Sequence, residues 1–163
     1  MGDVILALSF GKPATAGGNA LTAKWAGIFS GGKVPVVSDV SVPLNLDNRN
    51  LIYWIGSTDP EKHVSTLTLT RKFAWLYKRK GWNSVIVVCS PDYANRVVRD
   101  LKRALREVKS SAIISKAELD GEENSNDWYR GSEQWWTKIR IIFKIYEQIL
   151  RCVPFRLYDK IST

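Results

Sequence analysis

The chain predicts a three-layer α/β fold with a mainly parallel sheet and a long C-terminal helix, on three observations. Short continuous apolar runs recur at residues 4–10, 34–38 and 84–89, the pattern of strands covered on both faces. Amphipathic helical stretches lie between them. Glycine and proline punctuate the joints. Strand and helix in alternation call for parallel strands joined by right-handed crossovers.

Residues 4–10 form the first strand, ended by Gly11-Lys12-Pro13. Residues 19–29 are good helix formers with Leu21, Trp25 and Ile28 at helical spacing, and Gly31-Gly32 stops the helix. The second strand, residues 34–38, completes a βαβ unit. Residues 41–64 lose the pattern, apart from a brief strand-like stretch at 51–55 and a turn at 56–60. Residues 66–80 read as a helix with Leu69, Phe73, Leu76 and Tyr77 on one side, closed by Gly81. Residues 84–89 are β-branched and continuous, as a central strand should be. Ser90-Pro91-Asp92 opens the next helix with a capping residue and a first-turn proline, and Val97, Val98, Leu101, Ala104, Leu105 and Val108 carry its apolar stripe. A short strand at 112–115 and a polar acidic loop at 120–127 follow. The final helix spans 132–151 with Trp135, Ile139, Ile142, Tyr146 and Ile149 as its buried face, completing a single domain over residues 1–163.

The 163 residues suffice to bury one core without disulfides or a structural metal, and seven tryptophans exclude a disordered chain. The opening Met1-Gly2-Asp3 and the apolar run after it lack the basic flank and cleavage site of a signal peptide. No stretch reaches the roughly 18 uninterrupted apolar residues of a membrane span, so a cytoplasmic location is expected. Cys89 and Cys152 stand apart, with a single histidine, His63, to help them; neither a zinc site nor a disulfide framework is supported, and both read as packing groups. A net charge of +8 invites a nucleic-acid or anionic-surface partner. Much of that excess falls at 71–80 and 96–109, on the solvated outer faces of helices.

In an open parallel sheet, ligands collect where loops leave the carboxyl ends of strands, because helix N-termini aim unpaired N–H groups into one crevice. Three loops are informative. The first, residues 9–19, holds Ser9, Gly11, Lys12 and Gly17-Gly18, and matches no standard phosphate-binding motif; it reads either as a permissive turn or as an anion cradle. The second ends strand two with Ser38-Asp39, where nucleotide-binding folds place a carboxylate that accepts ribose hydroxyls; an aspartate there also serves as a turn former. The third gathers Ser90, Asp92, Tyr93 and Arg96. Ser90, Arg96 and the helix start could build an anion site, or Ser90 and Asp92 could simply cap the helix.

The opening Asp3-Val4-Ile5-Leu6, Ser65-Thr66 before a helix, Val87-Val88-Cys89-Ser90 followed by Tyr93 and Arg96, and a final helix bearing Glu147 together resemble the YdcF/SanA/ElyC family. That likeness spans roughly residues 3–158. It implies a Rossmann-like α/β domain of largely undefined function, with Thr66, Ser90, Tyr93 and Arg96 at the site. Tyr93 stands where the family has a histidine, which removes the group that shuttles protons near neutral pH. The glycine-rich first loop is kept only as Phe10-Gly11, and the family's serine-glycine-glycine has become Ser38-Asp39-Val40. The resemblance also implies S-adenosylmethionine as a candidate ligand; by their placement after the strands, Asp39 would suit its ribose hydroxyls and Ser90 and Arg96 its carboxylate or a phosphate.

The leading expectation is therefore a protein that binds, or acts on, a small anionic, nucleotide-like metabolite. No nucleophile–base pair is recognisable, so no reaction is named. The alternative is a nucleic-acid-binding protein using Arg71, Lys72, Lys78, Arg79 and Lys80 interleaved with Phe73, Trp75 and Tyr77, although Phe73 and Tyr77 fall on the buried face. A third reading is an interaction subunit with Trp75, Trp82, Trp128 and Trp136 as contacts.

Overall fold

A computed structural model describes residues 3–10, 14–46, 51–57, 64–119, 126–134 and 137–161. The strands are β1 (Val4–Ala7), β2 (Val36–Asp39), β3 (Ile52–Ile55), β4 (Ser84–Val88) and β5 (Ile113–Lys116). They form one sheet in the order β3-β2-β1-β4-β5, and every neighbouring pair is parallel. The helices are α1 (Gly17–Ser30), α2 (Thr66–Lys80), α3 (Pro91–Glu107), α4 (Arg140–Cys152) and α5 (Phe155–Ile161), with a 3-10 helix at Asn126–Tyr129.

The chain enters at the middle of the sheet, steps outward to β2 and β3, then crosses back over β1 to β4 and β5. Right-handed crossovers put α1 on one face and α2 and α3 on the other, giving the three-layer Rossmann-like fold. β1 is buried along its whole length, which its unbroken apolar sequence requires. Helix α2 starts at Ser65, whose hydroxyl accepts from the Thr68 N–H, and ends at Gly81 in the left-handed conformation. It buries Phe73 and Tyr77, while α3 buries Val97, Leu101 and Ala104 against the same core.

The C-terminal part departs from expectation. In place of one long helix over 132–151, α4 begins only at Arg140, and α5 follows a break at Val153-Pro154. The hydroxyls of Ser132 and Thr137 bond to each other, and Thr137 also bonds to the Gln134 carbonyl, so side chains take up the backbone's partners before the helix can start. Pro154 prevents continuation at the other end. The buried face of α4 is Phe143, Glu147 and Leu150; Ile139 and Ile149 are exposed, and Trp135 lies outside the described residues. The face is rotated because α3 presents charges to α4, as described below. Cys89 is packed as expected, but Cys152 is exposed, and Ile28 of α1 also faces solvent. Among the described residues, no helix is long and apolar enough to cross a membrane.

Candidate functional site

At the carboxyl ends of β1 and β2, the Ser9 hydroxyl donates to Oδ2 of Asp39 while Oδ1 accepts from the Ser41 N–H at 2.9 Å. Asp39 is 8% exposed, so its carboxylate sits just beneath the surface in a fixed orientation. Gly56, at the end of β3 with φ +111°, lies beside it: a Cβ there would stand 3.6 Å from Oδ1. The Lys72 ammonium donates to the Gly56 carbonyl at 2.9 Å. Ser38 is wholly buried and donates to the Ala7 carbonyl at 3.1 Å, so it ties β2 to β1. Each carboxylate oxygen of Asp39 keeps acceptor capacity, so this half of the edge can take hydrogen bonds from a ligand's hydroxyls.

The neighbouring N-terminus of α1 is taken up by the chain itself. The Gly17 N–H donates to the Arg130 carbonyl at 2.7 Å. A Cβ at Gly17 would stand 2.2 Å from the Asp127 carbonyl oxygen, and one at Gly18 would stand 2.6 Å from that of Trp128. The glycines that read as an anion cradle thus admit close approach of the 126–130 segment, and the Arg130 carbonyl takes the Gly17 N–H that an anion would use. Asn19 accepts from the Phe10 N–H at 2.7 Å. That bond turns Phe10 into the crevice, where its ring lies 5.2 Å from Tyr129 and 4.7 Å from Phe143. Gly11 and Lys12 lie outside the described residues, as does His63.

Beyond β4, Ser90 is buried with its hydroxyl near the Tyr129 phenol, yet it makes no well-formed hydrogen bond among the described residues and does not cap α3. Asp92 accepts from Tyr129 at 2.6 Å and from Arg140 Nε at 2.9 Å, with Lys144 at 3.6 Å. Burial alone would raise its pKa, but these donors hold it below the usual carboxylate range. Tyr93 shares a hydrogen bond with Thr66, and burial pushes its phenol far above the ordinary value, so it stays neutral. The Arg96 guanidinium lies 4.8 Å from the Tyr93 ring centroid and is met by Glu147, Nε to Oε2 at 3.0 Å and Nη2 to Oε1 at 2.8 Å. Burial opposes charge on Arg96, but the Glu147 carboxylate outweighs it and keeps the side chain cationic. Cys89 is pushed well up by burial, which leaves its thiol unreactive.

The structure thus joins Ser9 with Asp39 and, separately, Thr66 with Tyr93 and Arg96. Ser41, Gly56, Tyr129 and Arg140 were not visible in the sequence as parts of this edge. The 126–140 segment carries no motif, so only the fold shows where it lands. At the opposite, amino edge a shallow depression of about 520 Å³ is lined by Lys78, Trp82, Lys109 and Ser110. Lys78 there donates to the Val108 carbonyl at 2.7 Å, serving the carboxyl end of α3. Among the described residues, no group of three histidine, cysteine or acidic side chains gathers in a way that could hold a metal ion.

Fold and strand order define the class, a Rossmann-like α/β protein. Compared with family models, curated proteins and solved structures, the chain matches none.

Proposed function

We propose that this chain is a ligand-binding protein of the YdcF-like kind, and that its ligand is a nucleoside-bearing metabolite held through sugar hydroxyls by Asp39. S-adenosylmethionine is the leading example. The carrying observation is the Asp39 carboxylate, oriented by Ser9 and Ser41 at the end of β2 and 8% exposed. Because the Arg130 carbonyl fills the α1 N-terminus, the reading favours a ligand without a pyrophosphate there. The YdcF-like reading draws support from Arg96 and Glu147, 51 residues apart, which meet as a pair beside Tyr93. Arg96 positions Tyr93 and α4 in this account; with Glu147 on its guanidinium it is a weak hand for a ligand carboxylate. No reaction is assigned. A cytoplasmic location fits the two free cysteines.

A thermal-shift screen with S-adenosylmethionine, its demethylated product, nucleotides and a short RNA tests this reading. At a hundred times its dissociation constant a ligand adds about 2.7 kcal/mol, a clear rise in Tm. We expect a rise with the adenosyl compounds that is lost in Asp39→Ala and kept in Lys109→Ala; equal shifts in both variants would overturn the assignment. One observation favours nucleic acid instead: Trp75 is 72% exposed on α2, a turn before Lys78 and Arg79. A shift with RNA alone, abolished by salt, would select that reading.

A further inference from the structure

Helix α4 is built inside out. Its buried face holds Glu147, 1% exposed, together with Phe143 and Leu150, whereas Ile141, Ile145 and Ile149 are 70%, 56% and 58% exposed. Spaced by four residues, these three isoleucines form one ridge along the 13-residue helix, about 20 Å long. Ile139 before the helix and Leu157 on α5 are exposed as well. Among the described residues of 137–160 the exposed charges are cationic: Lys138, Arg156, Lys160 and Lys144, which lies 3.6 Å from Asp92 with its side chain still half exposed. The carboxylates of α4 and α5 are turned away, Glu147 to Arg96 and Asp159 to Arg71.

We propose that this face docks on an anionic lipid surface, with the isoleucines entering the headgroup–acyl boundary and the lysines and arginine meeting lipid phosphates. A convex aliphatic ridge bordered by cations suits a fluid boundary, which moulds to it and needs no complementary groove. A second copy of this chain, itself carrying a net charge of +8, would set cations against cations. A protein partner ordinarily anchors on aromatic or arginine hot spots, and the described residues of the ridge offer isoleucine alone.

Co-sedimentation of the full chain with vesicles of phosphatidylcholine plus phosphatidylglycerol, set against phosphatidylcholine alone, tests the proposal. Binding to the anionic vesicles should weaken with salt and fall about tenfold or more when Ile141→Ser, Ile145→Ser and Ile149→Ser are combined. An unchanged Tm shows that this variant still folds; if it does not, Ile145→Asp alone gives the same readout. Absence of binding by the wild-type chain overturns the proposal, as does binding that survives loss of the isoleucines. A lipid-free dimer that the same substitutions dissolve overturns it in favour of a second copy.

Discussion

The Arg96 guanidinium is enclosed by two neighbours, the Tyr93 ring and the Glu147 carboxylate. Desolvating both ions is unfavourable, and their attraction offsets it only because the contact is short and made by two nitrogens. Removing one partner leaves the other charge buried alone, so Glu147→Ala should destabilise the fold by about 3–5 kcal/mol. Arg96→Met combined with Glu147→Leu should recover most of that loss in urea unfolding; strictly additive single effects would show that the two residues do not couple. The sequence exposes Arg96 through its place after β4 and Asp39 through its place after β2. Glu147 leaves a fainter trace, a charge between Phe143 and Leu150 in an otherwise apolar stripe. What each of them touches is invisible in one dimension, because the partners come from 30 and 51 residues away.

At the scale of elements, α1 and α4 show how a helix is specified by what packs on it. The glycines at the start of α1 fit a phosphate cradle equally well in sequence, but in the fold they admit the 126–130 backbone. Gly17→Ala forces a methyl group against the Asp127 carbonyl, a fixed backbone atom, and should destabilise by about 1–3 kcal/mol, read by thermal unfolding and by faster proteolytic cleavage in the 126–130 segment. A melting temperature equal to wild type would mean that this segment is not held on α1. For α4, periodicity correctly reports a two-faced helix, yet it cannot report which face turns inward. Asp92 and Arg96 on α3 draw in Arg140 and Glu147, and the isoleucines are carried outward with the rotation.

Across the whole molecule, the C-terminal helices are fastened to α2 and α3 by polar contacts, Asp92 to Arg140, Arg96 to Glu147, Asp100 to Tyr158 and Arg71 to Asp159, and Arg71 also ties α2 to Glu107 of α3. This fastening is sensitive to acid. Asp92 is held below its ordinary pKa despite burial, by Tyr129 and Arg140, and Glu107 and Asp159 are held low chiefly by hydrogen bonds from Arg71. A carboxyl lowered in the folded state contributes stability that is fully present above its unfolded value, about 3.9 for Asp and 4.3 for Glu, and lost as pH falls through the lower folded value. Asp100 runs the other way, since burial raises it; protonation there relieves part of the loss. Calorimetry should therefore show Tm dropping below about pH 4, with a shallower drop in Asp92→Asn. A profile identical to wild type in that variant would remove Asp92 from this role.

By itself the sequence determined the alternation of strands and helices, the parallel sheet and the buried faces of α2 and α3, because period, propensity and end signals are local and act wherever the segment lands. Tertiary structure alone decided what fills the crevice beside β1 and β4, where Phe10, Tyr129 and Phe143 converge from three distant segments. It also decided the start and the inward face of α4, because the free energy of burying Glu147 depends on whether Arg96 is there to meet it.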